Sequence, residues 1–432
     1  MRYLYNIAIW FYCLAVRVVA MFNPKVRLMW QGEQGVFDKI EENIVDGDRV
    51  VWVHAASLGE FEQGRPLIER LKRENPEYKI LLTFFSPSGY EVRKNYAGAD
   101  VICYLPLDTA RNARRFVDLV KPEKVVFVKY EFWLNYLREL RNSGVETYII
   151  SAIFRPDQVF FKWYGGLFRE GLKAFKMLFV QNEESKELLK EIGVENVVVA
   201  GDTRFDRVVD VVSAAKKLEV VERFVGMRSE ECGMRNEECG MRNVECGMRN
   251  GVLVVGSSWG PDEELLAEYI NERVGKVKMI IAPHEVREER IKELTARLSC
   301  KYALYNEECG MRNEELKEVD VLVINTIGIL SSVYQYGQVA YIGGGFGVGI
   351  HNTLEAAAWG MPVVFGPNYK KFKEACELIE CGAARSIMTK DECFAALDDF
   401  FEHNSEPANA AAEYVASHIG AINLIYKNIV NN

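Results

Sequence analysis

Two glutamates and one glycine-rich run carry the chemistry that this chain's residues can do. His54-Ala55-Ala56-Ser57-Leu58-Gly59-Glu60 follows a short apolar run and opens a charged amphipathic segment, Glu60–Arg73. In the first turn of a helix the Glu60 carboxylate can take a proton from a hydroxyl, and small neighbours such as Ser57 and Gly59 leave room for a substrate. A first-turn glutamate can equally do no more than complement the helix dipole. Glu131 follows a second apolar run, Lys124–Val128, in Lys129-Tyr130-Glu131-Phe132-Trp133. Farther along, Gly343-Gly344-Gly345 and Gly349-Ile350-His351-Asn352-Thr353-Leu354-Glu355 form a loop with few side chains. Backbone N–H groups in such a loop can approach an anion, and Glu355 is placed to accept hydrogen bonds from a ribose diol. The glycines alone could serve only to turn a crossover. Gly345-Phe346-Gly347-Val348-Gly349-Ile350 lacks the third glycine of a dinucleotide fingerprint, which disfavours a nicotinamide cofactor. Gly256-Ser257-Ser258-Trp259 offers hydroxyls and N–H groups to a phosphate, and His284 could contact a base or a phosphate.

The elements that must position these residues are strands and helices in alternation. Apolar runs at Val50–His54, Ile80–Phe84, Val101–Tyr104, Lys124–Val128, Thr147–Ile150, Met177–Val180 and Val197–Ala200 read as buried parallel strands. The rhythm restarts at Val252–Val255 and continues through Met279–Ala282, Val321–Ile324, Val339–Ile342 and Val363–Phe365. Two doubly wound α/β domains follow, with ligands expected at the carboxyl ends of their strands and a cleft between the domains.

Composition bounds the function. A length of 432 residues suits two domains, and 49% hydrophobic content suffices for two cores. The net charge of -9 is uneven: residues 1–204 hold 29 basic and 27 acidic side chains, and the remainder 24 and 35. The first half is the better host for an anion, but its slight excess is far too small for nucleic acid. Ten cysteines include no C-x-x-C pair, so neither zinc nor a redox motif is supported, and a reducing compartment fits. Leu4 to Met21 is almost wholly apolar, with Arg2 before it and Lys25 and Arg27 after. That stretch reads as a membrane anchor or interfacial helix facing anionic lipid on the cytoplasmic side, with a buried N-terminal helix as the alternative. The aromatic run Phe160-Phe161-Lys162-Trp163-Tyr164 divides evenly between lipid contact and core.

Residues 226–250 repeat a seven-residue unit, Gly-Met-Arg-Asn-Glu-Glu-Cys, and the unit recurs at 306–315. The units lack a pair of large aliphatic residues, and each helical glycine costs about 1 kcal/mol, so a coiled coil is disfavoured. Both copies are expected to be surface insertions without a catalytic role.

Taken in order, His54-Ala-Ala-Ser-Leu-Gly-Glu60, Glu131-Phe-Trp, Gly201-Asp202-Thr203-Arg204-Phe205-Asp206, Gly256-Ser257-Ser258, Gly349–Ala358 and Phe365-Gly366-Pro367-Asn368 resemble the 3-deoxy-D-manno-octulosonic acid (Kdo) transferases. The resemblance covers nearly the whole chain. It implies a GT-B fold, two facing Rossmann-like domains with a membrane-associated N-terminal helix. It also implies an inverting, metal-independent transfer of Kdo from CMP-Kdo to the lipid A precursor at the cytoplasmic face of the inner membrane. No cofactor, metal or nucleic acid is implied. Glu60 matches the family's general base; Ser57, Gly59, Glu131 and Arg204 would meet acceptor or donor sugar. Ser257, Ser258, His284, Gly344, Gly345, Asn352 and Glu355 would hold the nucleotide. The expected division is 1–30 anchor, 31–205 acceptor domain, 206–250 linker with the repeat, 251–405 nucleotide-sugar domain, and 406–432 a C-terminal helix packing back toward the first domain. This chain departs from the family's pattern in having Pro283-His284 for Arg-His, Arg204 for Lys and Trp133-Leu134-Asn135 for Trp-Pro-Asn. Other readings are a GT-B glycosyltransferase or epimerase using a UDP-sugar, and a non-enzymatic scaffold built on the repeats.

Overall fold

The computed structural model describes residues 2–226, 251–306 and 313–430. Most of both heptad segments, 227–250 and 307–312, lies outside the described residues. The chain divides into two units, one of Met1–Arg207 with Ile419–Asn432 and one of Val208–His418.

The first unit is built on seven parallel strands: β1 (Arg49–Ala55), β2 (Tyr78–Phe84), β3 (Val101–Tyr104), β4 (Lys124–Val128), β5 (Glu146–Ala152), β6 (Met177–Val180) and β7 (Val197–Val199). They lie in the order β3-β2-β1-β4-β5-β6-β7, with Val53 of β1 opposite Leu82 of β2 and Val126 of β4. Helices cover both faces, so the central strands are apolar on both, and successive residues of β1 feed two cores. Val50 and Trp52 join Phe116, Phe127 and Tyr136 on one side. Val51, Val53 and Ala55 join Phe61 and Leu67 on the other, where Ile422, Ile425 and Ile429 of the helix Ala421–Val430 complete the packing.

The N-terminal helix Arg2–Ala20 leaves most of its length uncovered: Tyr3, Trp10, Phe11 and Phe22 just beyond it are exposed, while Val16 and Ala20 are buried. It has the length and composition to cross a membrane. Two polar bonds tie its first turns to the body, Tyr5 Oη donating to Asp108 Oδ2 at 2.6 Å and Asn135 Nδ2 donating to Asn6 Oδ1 at 3.0 Å. The aromatic run splits: Phe160 is core, and Trp163 is 92% exposed.

The second unit repeats the design with β8 (Gly251–Ser258), β9 (Val277–Pro283), β10 (Tyr302–Leu304), β11 (Val321–Val323), β12 (Val339–Ile342), β13 (Val363–Phe365) and β14 (Ala384–Ser386). Their order is β10-β11-β9-β8-β12-β13-β14, all parallel. The order turns back between β1 and β4 in the first sheet and between β8 and β12 in the second, where β10 also lies outside β11 at the edge. Crevices outside those strand ends are where such sheets receive ligands.

Candidate functional site

In the first unit both glutamates follow strands at the reversal, Glu60 after β1 and Glu131 after β4. The segment after β1 turns at Ser57 into the helix Leu58–Glu74, so Glu60 occupies its first turn, partly buried, with Ser57 Oγ donating to its Oε2. Ser-x-x-Glu here resembles a capping box, but the serine bonds the carboxylate and not the backbone. Gly59 is exposed beside it. Glu131 follows β4, the strand next to β1, and its Oε2 accepts from Trp133 Nε1 at 2.6 Å and contacts His54 Nε2 at 3.1 Å. His54 is wholly buried, and the Glu131 side chain is 12% exposed. Glu131 lines a cavity of about 580 Å³ with Tyr130, Phe132, Trp133, Arg155 and Phe160. Lys129, just before it, has φ 71° with a side chain present, a strained backbone of the kind that gathers at functional sites.

Arg204 begins the helix Thr203–Ser213 after β7. Its Nε donates to Asp202 Oδ2 at 2.8 Å, and Gln63 Nε2 on the helix Leu58–Glu74 donates to the same carboxylate at 3.0 Å. Part of the guanidinium is therefore spent on its own loop, while 38% of the side chain stays exposed.

In the second unit the loops after β8, β9 and β12 converge. Trp259 stacks on His284 with centroids 4.5 Å apart, and His284 stacks on His351 at the same spacing. Trp259 Nε1 donates to His351 Nε2 at 3.1 Å, and burial, then the neighbouring His284, push the His351 imidazole below its ordinary value. His351 is thus held neutral, its Nε2 an acceptor and its proton on Nδ1. Sequence reasoning quoted His351 within the glycine-rich run but gave it no role.

Asp262 was also missed. It is buried and accepts from Gly344 N, Trp259 N and Tyr341 Oη, each at 2.9 Å, which ties the β8 and β12 loops together. The Gly344 N–H that was expected to face an anion is spent here. Ser258, likewise, is buried with its hydroxyl donating to Glu263 Oε1 at 3.3 Å, whereas Ser257 is half-buried at φ 54°. Gly345 lets two backbones meet: a Cβ there would lie 2.5 Å from Gly366. Asn352 Nδ2 donates to Glu355 Oε1 at 3.0 Å, and Thr353 Oγ1 beside them is buried with no hydrogen-bond partner among the described residues. The helix carrying Glu355, Leu354–Ala357, is a single turn, so its dipole adds little at that end. Among the described residues no group of three or more His, Cys, Asp or Glu is gathered as metal ligands would be.

Residues 29–207 match the family model described as 3-deoxy-D-manno-octulosonic-acid transferase (kdotransferase). The chain is 26% identical to the 3-deoxy-D-manno-octulosonic acid transferase of Aquifex aeolicus, over 85% of this chain and 90% of that one. It is 27% identical to the transferase of the same name from Bordetella pertussis, over 86% and 84%. Among solved structures it is similar in fold to UDP-GlcNAc 2-epimerase from Neisseria meningitidis bound to UDP-GlcNAc, with TM-score 0.59 and 16% identity over 89% of this chain and all of that one. That likeness places the two seven-stranded parallel sheets in the GT-B type of fold. Residues 29–207 thus match the Kdo-transferase family model, and most of the chain is similar in sequence to Kdo transferases and in fold to GT-B proteins.

Proposed function

We propose that the chain transfers Kdo from CMP-Kdo, with inversion, to a lipid A precursor at the cytoplasmic face of the inner membrane. The observation that carries this reading is that the segment matching the Kdo-transferase model contains two carboxylates, Glu60 and Glu131, each following a strand at the reversal of the first unit. Glu60 takes the proton of a primary hydroxyl on the acceptor's glucosamine disaccharide. The freed oxygen forms a bond to the anomeric carbon of Kdo as the bond from that carbon to the phosphate oxygen breaks. CMP leaves with the electron pair, its charge spread over one phosphate, which in this reading needs no metal.

The second unit is the natural host for CMP. Ser257, His284, Asn352 and Glu355 stand around the β8–β12 reversal, and the Trp259–His284–His351 stack supplies aromatic surface beside them. Glu131 and Arg204 are assigned to the sugars and the Kdo carboxylate. The uncovered apolar face of Arg2–Ala20 fits an enzyme whose acceptor is a lipid.

The test is direct. Full-length protein in detergent is incubated with CMP-Kdo and a lipid A precursor, and separately with UDP-GlcNAc. Formation of the Kdo-extended lipid with release of CMP is expected. Epimerised UDP-GlcNAc with an unchanged lipid would overturn the reading in favour of a UDP-sugar enzyme. Turnover that survives loss of Glu60 would remove the mechanism.

A further inference from the structure

Beneath the crevice of the first unit, a line of hydrogen bonds crosses β1 and β2, and its protons can be placed by donor count. Trp52 Nε1 donates to Thr83 Oγ1 at 2.7 Å. Thr83 Oγ1 lies 2.8 Å from His54 Nδ1, and His54 Nε2 lies 3.1 Å from Glu131 Oε2. Trp52, His54 and Thr83 are all 0% exposed. An indole N–H can only donate, and a threonine hydroxyl has one proton to give. If that proton goes to His54 Nδ1, every group in the line is satisfied, and the imidazole carries its own proton on Nε2, aimed at Glu131. If His54 instead held both protons, the Thr83 hydroxyl would face two donors with its own proton unplaced, since Oγ1 makes no other side-chain bond among the described residues. A buried unplaced donor is costly. If the only proton sat on Nδ1, Nε2 would turn a lone pair toward the carboxylate.

We propose that this line fixes His54 as the neutral Nε2–H form, and that His54 is a positioning residue that presents Glu131 to a saccharide. Two N–H donors, from His54 and Trp133, both land on Oε2. The carboxylate is thereby locked in rotation, with Oε1 left for a ligand. A carboxylate accepts and does not donate, so what it selects is a hydroxyl. The cavity above it has Tyr130, Phe132 and Phe160 among its walls, with Arg155 and Gln158 as further polar groups. Aromatic walls with a few placed polar groups suit a sugar ring, whose C–H face is apolar and whose rim is hydroxylated. This assignment rests on the acceptor reading given above for the first unit.

The test uses the full chain in detergent with histidine labelled in 15N; five histidines in the sequence keep the spectrum readable. The His54 ring, assigned by its disappearance in His54→Gln, is expected to show a protonated Nε2 and a bare Nδ1. A ring protonated on Nδ1, alone or together with Nε2, overturns the proposal. Calorimetry with a glucosamine disaccharide then compares Thr83→Val with Thr83→Ser. Loss of the hydroxyl proton in Thr83→Val should weaken disaccharide binding about tenfold, and Thr83→Ser should restore it to within about twofold. CMP affinity, read on the same samples, should not move. Equal losses in both variants, or a fall in CMP affinity, would mean mere structural damage and would also overturn the proposal. A wild type that takes no disaccharide at all would sink the acceptor reading, and the His54 spectrum, recorded without ligand, would still decide the proton order.

Discussion

Glu60 and Glu131 follow strands that are neighbours in space although far apart in the chain, with Val51 of β1 opposite Lys124 of β4 and His54 opposite Phe127. Glu60→Gln keeps the side-chain volume and removes the proton acceptor, so Kdo transfer should fall by about 10² to 10⁴-fold while CMP binding persists. Near-normal turnover of that variant would reject the assignment. Glu355→Ala should weaken CMP about tenfold without touching disaccharide affinity, and calorimetry giving an unchanged CMP affinity would take Glu355 out of the site. A third residue matters for stability. Glu33, after the helix Pro24–Gly32, has Oε1 buried without a partner, and burial pushes its carboxyl up to about 8 against only a Leu107 N–H. The unfolded chain releases that proton in the ordinary carboxylate range and the folded protein keeps it to about 8. Stability therefore falls as pH rises between those two values and is level outside them. Glu33→Gln should melt with the wild type at about pH 4 and about 10 °C above it at about pH 8. An equal gain at both ends would refute this. That Glu60, Glu131 and Ser257 stand at strand ends was legible in the sequence, because each comes within a few residues of the end of an apolar run. Asp262 and His351 were not, because the groups that give them meaning, Tyr341, Gly344 and Trp259, are distant in the chain and meet them only through folding.

At the scale of elements, the sequence marks the central strands well. β4, β6, β12 and β13 coincide with their apolar runs residue for residue, since strands covered on both faces must be apolar throughout, and so does β3, an edge strand buried along its length. β10 and β14 give no such signal. They are three-residue edge strands with partly exposed patterns, and too little is buried in them to shape the sequence. The helix Arg2–Ala20 was legible as apolar. Its tethers were not, because Tyr5 and Asn6 read as interruptions until Asp108 and Asn135 are seen opposite them. A helix held along the body by its first turns, with Trp10 and Phe11 turned outward, suits lying in a membrane surface more than crossing it. Trp10→Asp with Phe11→Asp should cut binding to vesicles containing anionic lipid by about tenfold or more, with the circular dichroism of the protein unchanged. Undiminished vesicle binding would exclude that face from membrane contact.

For the whole molecule, the repeat at 226–250 falls between the last helices of one sheet's sequence and the first strand of the next. By composition its glycines, asparagines and paired glutamates offer little apolar surface to bury. Replacing Gly233–Gly247 with a short Gly/Ser linker should leave both turnover and melting temperature near the parent's. A large fall in either would show that the repeat has a structural or regulatory duty.

The helix Ala421–Val430 packs Ile422, Ile425 and Ile429 into a core otherwise formed by residues before Arg207. On the ribosome this inverts the usual order of completion. Domains ordinarily fold as they emerge, the earliest first. Here the early unit must wait, one face of its sheet short of a covering layer, while the whole intervening unit is synthesised. A nascent chain halted after His418 on a spacer that clears the ribosome should therefore show the sheet β8 to β14 resistant to protease and the early unit still susceptible. Extension through Val430 should protect both. During that wait the exposed apolar face and the apolar first helix are available together, so a chaperone or another apolar surface is well placed to shelter the early unit until the helix Ala421–Val430 arrives.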